Sequence, residues 1–294
     1  MVGGIQRRSG ASHDMTILNV NGVRLSVQVH GEGPALLLLH GFTGSSATWT
    51  SHTAAFNGFM SISVDLLGHG DSDAPLAAER YRIERCVEDL TSVLDQLEVE
   101  QTAVLGYSMG GRVALQFALA APDRLWALVL ESASPGIDDA KEREGRVRSD
   151  AALADDIERH GIEAFVDRWE AIPLFASQKH LPADVREELR RQRLRNSTAG
   201  LANSLRGAGA GQDAPVLGRL GALRIPTLLI AGALDSKYVA LAAKMNDSLP
   251  CARTQIVPDA GHATHLEQPE TFDRLVDEFL QTYRNAGEGK EASP

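Results

Sequence analysis

The sequence predicts an α/β protein: a mostly parallel central sheet flanked by helices, with a helical cap inserted late in the chain. Three observations lead there. Short, continuously apolar runs alternate with helical patterns over most of the length. From about Ile137 to Asp213 the alternation stops, and several amphipathic helical patterns follow one another. Finally, a serine bracketed by glycines stands at the junction of an expected strand and an expected helix.

The elements follow in order. Thr16 to Val20 and Val23 to Val29 alternate around Asn21-Gly22, a pair that tolerates the positive φ angles of a two-residue hairpin turn. Ala35 to Leu39, Ser61 to Val64 and Thr102 to Leu105 lack polar alternation, as strands covered on both faces do. Ile83 to Leu97 and Arg112 to Ala121 carry helical patterns. Trp126 to Leu130 and Thr227 to Ile230 continue the strand series, and Thr254 to Val257 closes it. Strands separated by helices imply parallel neighbours joined by right-handed crossovers. The expected organisation is a core over 15–136 and 214–284, a helical cap over 137–213, a disordered extension over 1–14 and a disordered tail over 285–294.

The composition narrows the function classes. A chain of 294 residues can bury about 75% of its unfolded surface, so it needs no disulfide or metal staple. The formal net charge of −10 argues against general nucleic-acid binding, which needs a basic face. No apolar run approaches the roughly 18 residues of a membrane helix. The N-terminal stretch also lacks the apolar core of a secretory signal. Cys86 and Cys251 lie far apart and read as reduced thiols, consistent with a cytoplasmic protein. There is no G-x-G-x-x-G loop after a strand and no HExxH spacing, so neither a cofactor nor a metal is expected.

The sharpest signal is Gly106-Tyr107-Ser108-Met109-Gly110, directly after one strand and before a helix. Such an elbow exposes the serine Oγ at a helix N-terminus, where free N–H groups and the helix dipole stabilise negative charge. A hydroxyl becomes nucleophilic or basic only when a neighbour takes its proton. The elbow arrangement supplies a histidine after the last strand and an acid after an earlier one, in the chain order Ser, acid, His. Asp235 and His262 meet those positions, at strand C-termini where open α/β sheets place their sites. An oxyanion hole should come from the N–H of Met109 and the loop His40-Gly41-Phe42-Thr43-Gly44, through Phe42. His40 and the turn Asp65 to Ser72 read as structural, and His265 as a supporting or surface residue.

These motifs identify the chain as similar to α/β-hydrolase-fold proteins. The resemblance narrows with Gly41-Phe-Thr-Gly-Ser-Ser46, Gly106 to Arg112, Glu131-Ser-Ala-Ser-Pro-Gly136 and Gly232-Ala-Leu-Asp-Ser-Lys237. In the cap, Trp169 to Phe175 and Arg193 to Gly207 join them. From about Val20 to Leu280 the chain resembles the 2-succinyl-6-hydroxy-2,4-cyclohexadiene-1-carboxylate synthases, lyases of menaquinone biosynthesis. The resemblance implies elimination of pyruvate from an enolpyruvyl cyclohexene, with a His-activated serine as base and no acyl-enzyme.

Such a substrate is a small polycarboxylate, and a buried carboxylate needs a cation, best an arginine. Arg112 lies one helical turn beyond the serine. By family position Arg195 and Lys237 should face the cavity, as should either Arg143 or Arg146, whose register stays open. Tyr107 and Trp169 should shape the pocket. Two other functions fit the same triad: hydrolysis of esters or C–C bonds of small carboxylated substrates, and a receptor that binds without turnover.

Overall fold

Asn21 and Gly22, at φ 48° and 84°, reverse the chain between β1 (Asp14–Val20) and β2 (Val23–His30) in the computed structural model, which describes residues 14–288. The Asn-Gly pair supplies the turn that matches the strands' twist. Six further strands complete one sheet: β3 (Ala35–Leu39), β4 (Met60–Val64), β5 (Thr102–Tyr107), β6 (Leu125–Glu131), β7 (Thr227–Gly232) and β8 (Ala252–Val257). Their spatial order is β1-β2-β4-β3-β5-β6-β7-β8. Pairing is antiparallel from β1 through β2 to β4 and parallel elsewhere.

Period-two alternation divides each inner strand between two cores. Leu37, Leu39, Val104 and Leu128 face one side, where they meet α1 (Ile83–Gln96) and α2 (Met109–Ala120). Leu36, Leu38, Ala103 and Val129 face the other, against Trp49, Phe59, Phe272 and Phe279. Both faces are covered, so β3 is buried at every residue and its sequence shows no polar alternation. Emptying a large site in either core, Phe117 or Phe279, would cost about 3–5 kcal/mol. β8, at the sheet edge, is only partly buried, and it carries polar residues at Arg253, Thr254 and Gln255.

Between β6 and β7 the chain forms α3 (Ala140–Glu170), α4 (Ala183–Leu194) and α5 (Thr198–Ala208). Gly161, at φ 81°, kinks α3 where a side chain would be strained. These helices enclose a small core of their own: Ala154, Ile157, Phe165, Val166, Leu201 and Leu205. Phe42, from the loop after β3, packs into it and ties the cap to the sheet. After the cap come α6 (Ser236–Ser248), the single turn α7 (Thr264–Glu267) and α8 (Pro269–Glu288).

Both chain ends differ from the sequence expectation where they are described. Asp14 already pairs with Val29, and α8 continues through residues 285–288. Extending an existing helix adds one hydrogen bond per residue without a new nucleation cost, so polar sequence alone does not end it. The rest of the expected extension (1–13) and tail (289–294) lies outside the described residues. Among the described residues, no helix is long and apolar enough to cross a membrane.

Candidate active site

β5 delivers the chain into a turn at Ser108, whose φ of 52° and ψ of −105° are strained for any residue with a side chain. Two glycines make that turn possible. A Cβ at Gly106 would overlap the Gly110 carbonyl, and one at Gly110 would overlap the Leu39 carbonyl of the neighbouring strand. These are backbone obstacles and cannot swing aside.

The chain ends of β7 and β8 bring Asp235 and His262 to this serine. His262 is 1% exposed; its Nδ1–H donates to Asp235 Oδ2 at 2.7 Å, and Ser108 Oγ–H donates to its Nε2 at 2.9 Å. In a neutral imidazole the nitrogen that donates leaves the other free to accept, so the carboxylate selects the tautomer that can receive the serine proton. Asp235 also caps α6, taking the Tyr238 N–H on Oδ1 at 3.3 Å, which holds its other oxygen toward the histidine. The Tyr238 ring packs edge-on against the imidazole at 4.5 Å.

Met109 is the first residue of α2, where an N–H has no acceptor within the helix. It and Phe42 line the same cavity as Ser108 and His262. The Phe42 loop is fixed by His40, which donates from Nδ1 to the Gly41 carbonyl at 2.7 Å and accepts the Leu66 N–H on Nε2 at 3.0 Å. Burial pushes the His40 pKa down to about 4, so it stays neutral and holds both bonds at neutral pH. Asp65 likewise spends its oxygens on the Ser46 and Asp71 N–H groups, at 2.6 and 2.8 Å. Both are structural.

The cavity measures about 720 Å³. Of the expected substrate-facing residues, Tyr107, Arg112, Arg146, Trp169 and Lys237 line it, and Arg143 and Arg195 do not. Arg146 answers the open register. Its Nε reaches both Asp150 oxygens at 2.8 Å, and the side chain is 42% exposed. Arg143, three residues earlier, turns back to the carbonyls of Ile137 and Asp138. Arg195 follows the end of α4, is 65% exposed and pairs with Asp71, so its expected place in the cavity is corrected. Arg112 is at the wall, but Asp213 and the Ala208 carbonyl occupy its guanidinium. Lys237 makes no ion pair among the described residues and lies 5.7 Å over the Tyr238 ring. Four basic residues (Arg112, Arg146, Lys237, Lys244) share the lining with four acidic ones (Asp138, Asp139, Glu142, Asp150), so positive charge is local there.

Trp169 packs edge-on against Phe42 at 5.4 Å and Phe175 at 5.6 Å, while its buried indole N–H has no partner. It is therefore cap core and cavity wall at once. Phe42, Tyr107 and Phe175 also border a second cavity of about 490 Å³, into which Arg193 projects. That side chain is 6% exposed, bonded to Glu170 at 3.2 Å and Gln178 at 3.3 Å, with Nε unpartnered. Family position singled out Arg195 in the sequence and gave Arg193 no such role. Helical spacing held the clue: Arg193 lies four residues after Leu189, which lines the same cavity.

Comparison with known proteins agrees with this architecture. Residues 34–269 match the family described as alpha/beta hydrolase fold. A Bacillus subtilis (strain 168) protein, provisionally named a 2-succinyl-6-hydroxy-2,4-cyclohexadiene-1-carboxylate synthase, is 46% identical over 88% of this chain and 96% of its own. The synthase of that name from Serratia proteamaculans (strain 568) is 31% identical over 86% of this chain and 95% of its own. The solved structure of MenH from S. aureus superposes with a TM-score of 0.85 at 34% identity, covering 88% of this chain and 98% of that one. A thermophilic esterase from Thermogutta terrifontis, solved with malate bound, gives 0.79 at 27% identity, covering 92% and 98%. The chain thus belongs to the α/β-hydrolase fold family and, within it, to the family of 2-succinyl-6-hydroxy-2,4-cyclohexadiene-1-carboxylate synthases.

Proposed function

We propose that this protein is a carbon–oxygen lyase of menaquinone biosynthesis. It eliminates pyruvate from 2-succinyl-5-enolpyruvyl-6-hydroxy-3-cyclohexene-1-carboxylate to give 2-succinyl-6-hydroxy-2,4-cyclohexadiene-1-carboxylate. The observation that carries the reading is the hydrogen-bonded series Asp235, His262, Ser108 opening on a cavity that also holds Arg146 and Lys237.

The ring C2–H lies α to the succinyl ketone and is the acidic proton. Ser108 Oγ passes its own proton to His262 Nε2 and takes the one from C2. The C–H electron pair becomes C2=C3, the C3=C4 pair moves to C4=C5, and the C5–O bond breaks. The leaving enolpyruvate is protonated at its methylene carbon, balanced by the proton that the His262 imidazolium gives up, and becomes pyruvate. Asp235 steadies the imidazolium while it exists. Charge developing on the ketone oxygen meets the N–H groups of Met109 and Phe42; one such donor is worth about 2.7–4 kcal/mol of barrier. Arg146, Lys237 and, in the adjoining cavity, Arg193 offer cations to the substrate's carboxylates, each charge-assisted bond contributing about 1.5–3 kcal/mol.

The test is pyruvate release from the enolpyruvyl substrate, followed through a coupled dehydrogenase. Wild-type protein should accelerate it strongly and Ser108→Ala should lose several powers of ten. A wild-type rate no faster than the spontaneous elimination defeats the proposal. The second reading, hydrolysis of small carboxylated esters, draws on the same serine geometry and the likeness to the Thermogutta esterase. Turnover of nitrophenyl esters at the rate of dedicated esterases would favour it.

A further inference from the structure

Glu131, the last residue of β6, is fully buried and takes no part in the steps above. Its backbone carbonyl accepts the Ser108 N–H at 2.9 Å. Its carboxylate accepts the Thr264 hydroxyl at 2.6 Å, the His265 N–H at 3.0 Å and the His265 Nδ1–H at 2.9 Å. Thr264 and His265 open α7, immediately beyond the loop that presents His262. One residue therefore grips the strained serine turn with its main chain and the histidine loop with its side chain.

The loop itself is stiff. Glu267 accepts the N–H groups of Gly261 at 2.7 Å and Ala263 at 3.3 Å, the two neighbours of His262. A segment closed on itself in this way moves as a unit, and its position is set by what anchors it. Desolvation raises the Glu131 carboxyl's pKa, but the charge and hydrogen bonds of His265 and the Thr264 hydroxyl outweigh it, leaving the pKa below the ordinary carboxylate value. A fully buried carboxylate is seldom the cheapest way to fill space, since an apolar replacement avoids desolvating its charge. What it does supply is fixed direction: three donors converge on its two oxygens, the His265 Nδ1–H reaching both.

We infer that Glu131 is a positioning residue whose carboxylate, acting through Thr264 and His265, sets the distance and angle at which His262 Nε2 meets Ser108 Oγ. The inference rests on the proposed roles of Ser108 and His262, so its test must not depend on the natural substrate.

A fluorophosphonate serves. Ser108 Oγ attacks phosphorus, its proton passes to His262, and fluoride departs, so the labelling rate reads the Ser–His alignment directly. Thr264→Val removes the hydroxyl at nearly constant size, Thr264→Ser restores one, and Glu131→Gln keeps the shape without the charge. Folded Thr264→Val and Glu131→Gln proteins should label about tenfold or more slowly, since small misplacements of reacting groups are costly. Thr264→Ser should return toward the wild-type rate. The downfield proton resonance of His262 Nδ1–H should shift or broaden in Thr264→Val and recover in Thr264→Ser. Should Glu131→Gln not fold, the Val/Ser pair still decides. Wild-type labelling rates in the folded Val variant would reduce Glu131 to a packing role and overturn the inference. If wild-type protein labels rapidly but releases no pyruvate, the proposed reaction fails while the Glu131 comparison stands.

Discussion

The Arg112 guanidinium is paired with the Asp213 carboxylate, 101 residues farther along the chain, and donates also to the Ala208 carbonyl at 2.6 Å. Arg112 belongs to the helix that follows the serine, and Ala208 and Asp213 to the stretch where the cap returns to the sheet. The side chains are 11% and 8% exposed. Arg112 is thus a strut between core and cap as well as a cavity wall. Burial keeps the Asp213 pKa above its ordinary value even beside the arginine, which marks how poorly that site tolerates an unpaired charge.

Arg112→Ala should accordingly destabilise the fold by about 3–5 kcal/mol, because a buried carboxylate loses its partner. Urea unfolding measures it. Replacing both partners with apolar residues of similar size should recover much of the loss. A single variant as stable as wild type would mean that Asp213 is solvated and the strut carries no load.

Arg146→Ala and Lys237→Ala should act on binding. Each should raise KM for the polyanionic substrate about tenfold or more, as loss of a charge-assisted hydrogen bond does. Turnover of a neutral nitrophenyl ester should change little. Arg195→Ala, at an exposed pair outside the cavity lining, should leave both substrates unaffected. Equal losses on charged and neutral substrates would assign Arg146 and Lys237 to structure.

Gly110→Ala should be far more damaging than its one added methyl suggests. The new Cβ would meet the Leu39 carbonyl and the neighbouring His40 carbonyl, both in the backbone. Overpacking of this kind costs about 1–3 kcal/mol and displaces the serine turn. Activity should fall by more than the folded fraction does; a loss that matches unfolding alone would show that the turn absorbs the methyl.

Stability should decline on the acid side through two buried histidines. Burial lowers His40 to about 4; for His69 burial, with the nearby His40 charge, lowers it to about 3. The unfolded chain takes up these protons near pH 6.5 and the folded chain does not. The unfolded state therefore binds more protons between those values, and stability rises with pH there. The histidine contribution is complete above about pH 6.5 and is lost as pH falls toward the folded values, by up to about 1.4 kcal/mol per pH unit for each histidine. Unfolding free energies at about pH 7.5, 6 and 5 would show the slope, and His69→Asn should flatten it. A flat profile would mean that both imidazoles protonate in the folded protein.

Much of this protein was legible from local sequence. The Asn21-Gly22 turn, the doubly covered strands and the glycine-flanked Ser108 each depend on residues within a few positions, where steric and hydrophobic rules act directly. Asp235 and His262 could be named because strand ends in such a sheet converge, so chain order stands in for distance. The cations resisted. Arg143 and Arg146 differ by less than one helical turn, and Arg193 and Arg195 straddle a helix end, so small differences in register decide which faces the cavity. Arg112 was found, but its partner Asp213 was not, and neither was the grip of Glu131 on Thr264 and His265. A side chain's charge is written in the sequence. Whether that charge is spent on a neighbour or kept for a ligand depends on which distant segment packs beside it, and only the folded chain decides that.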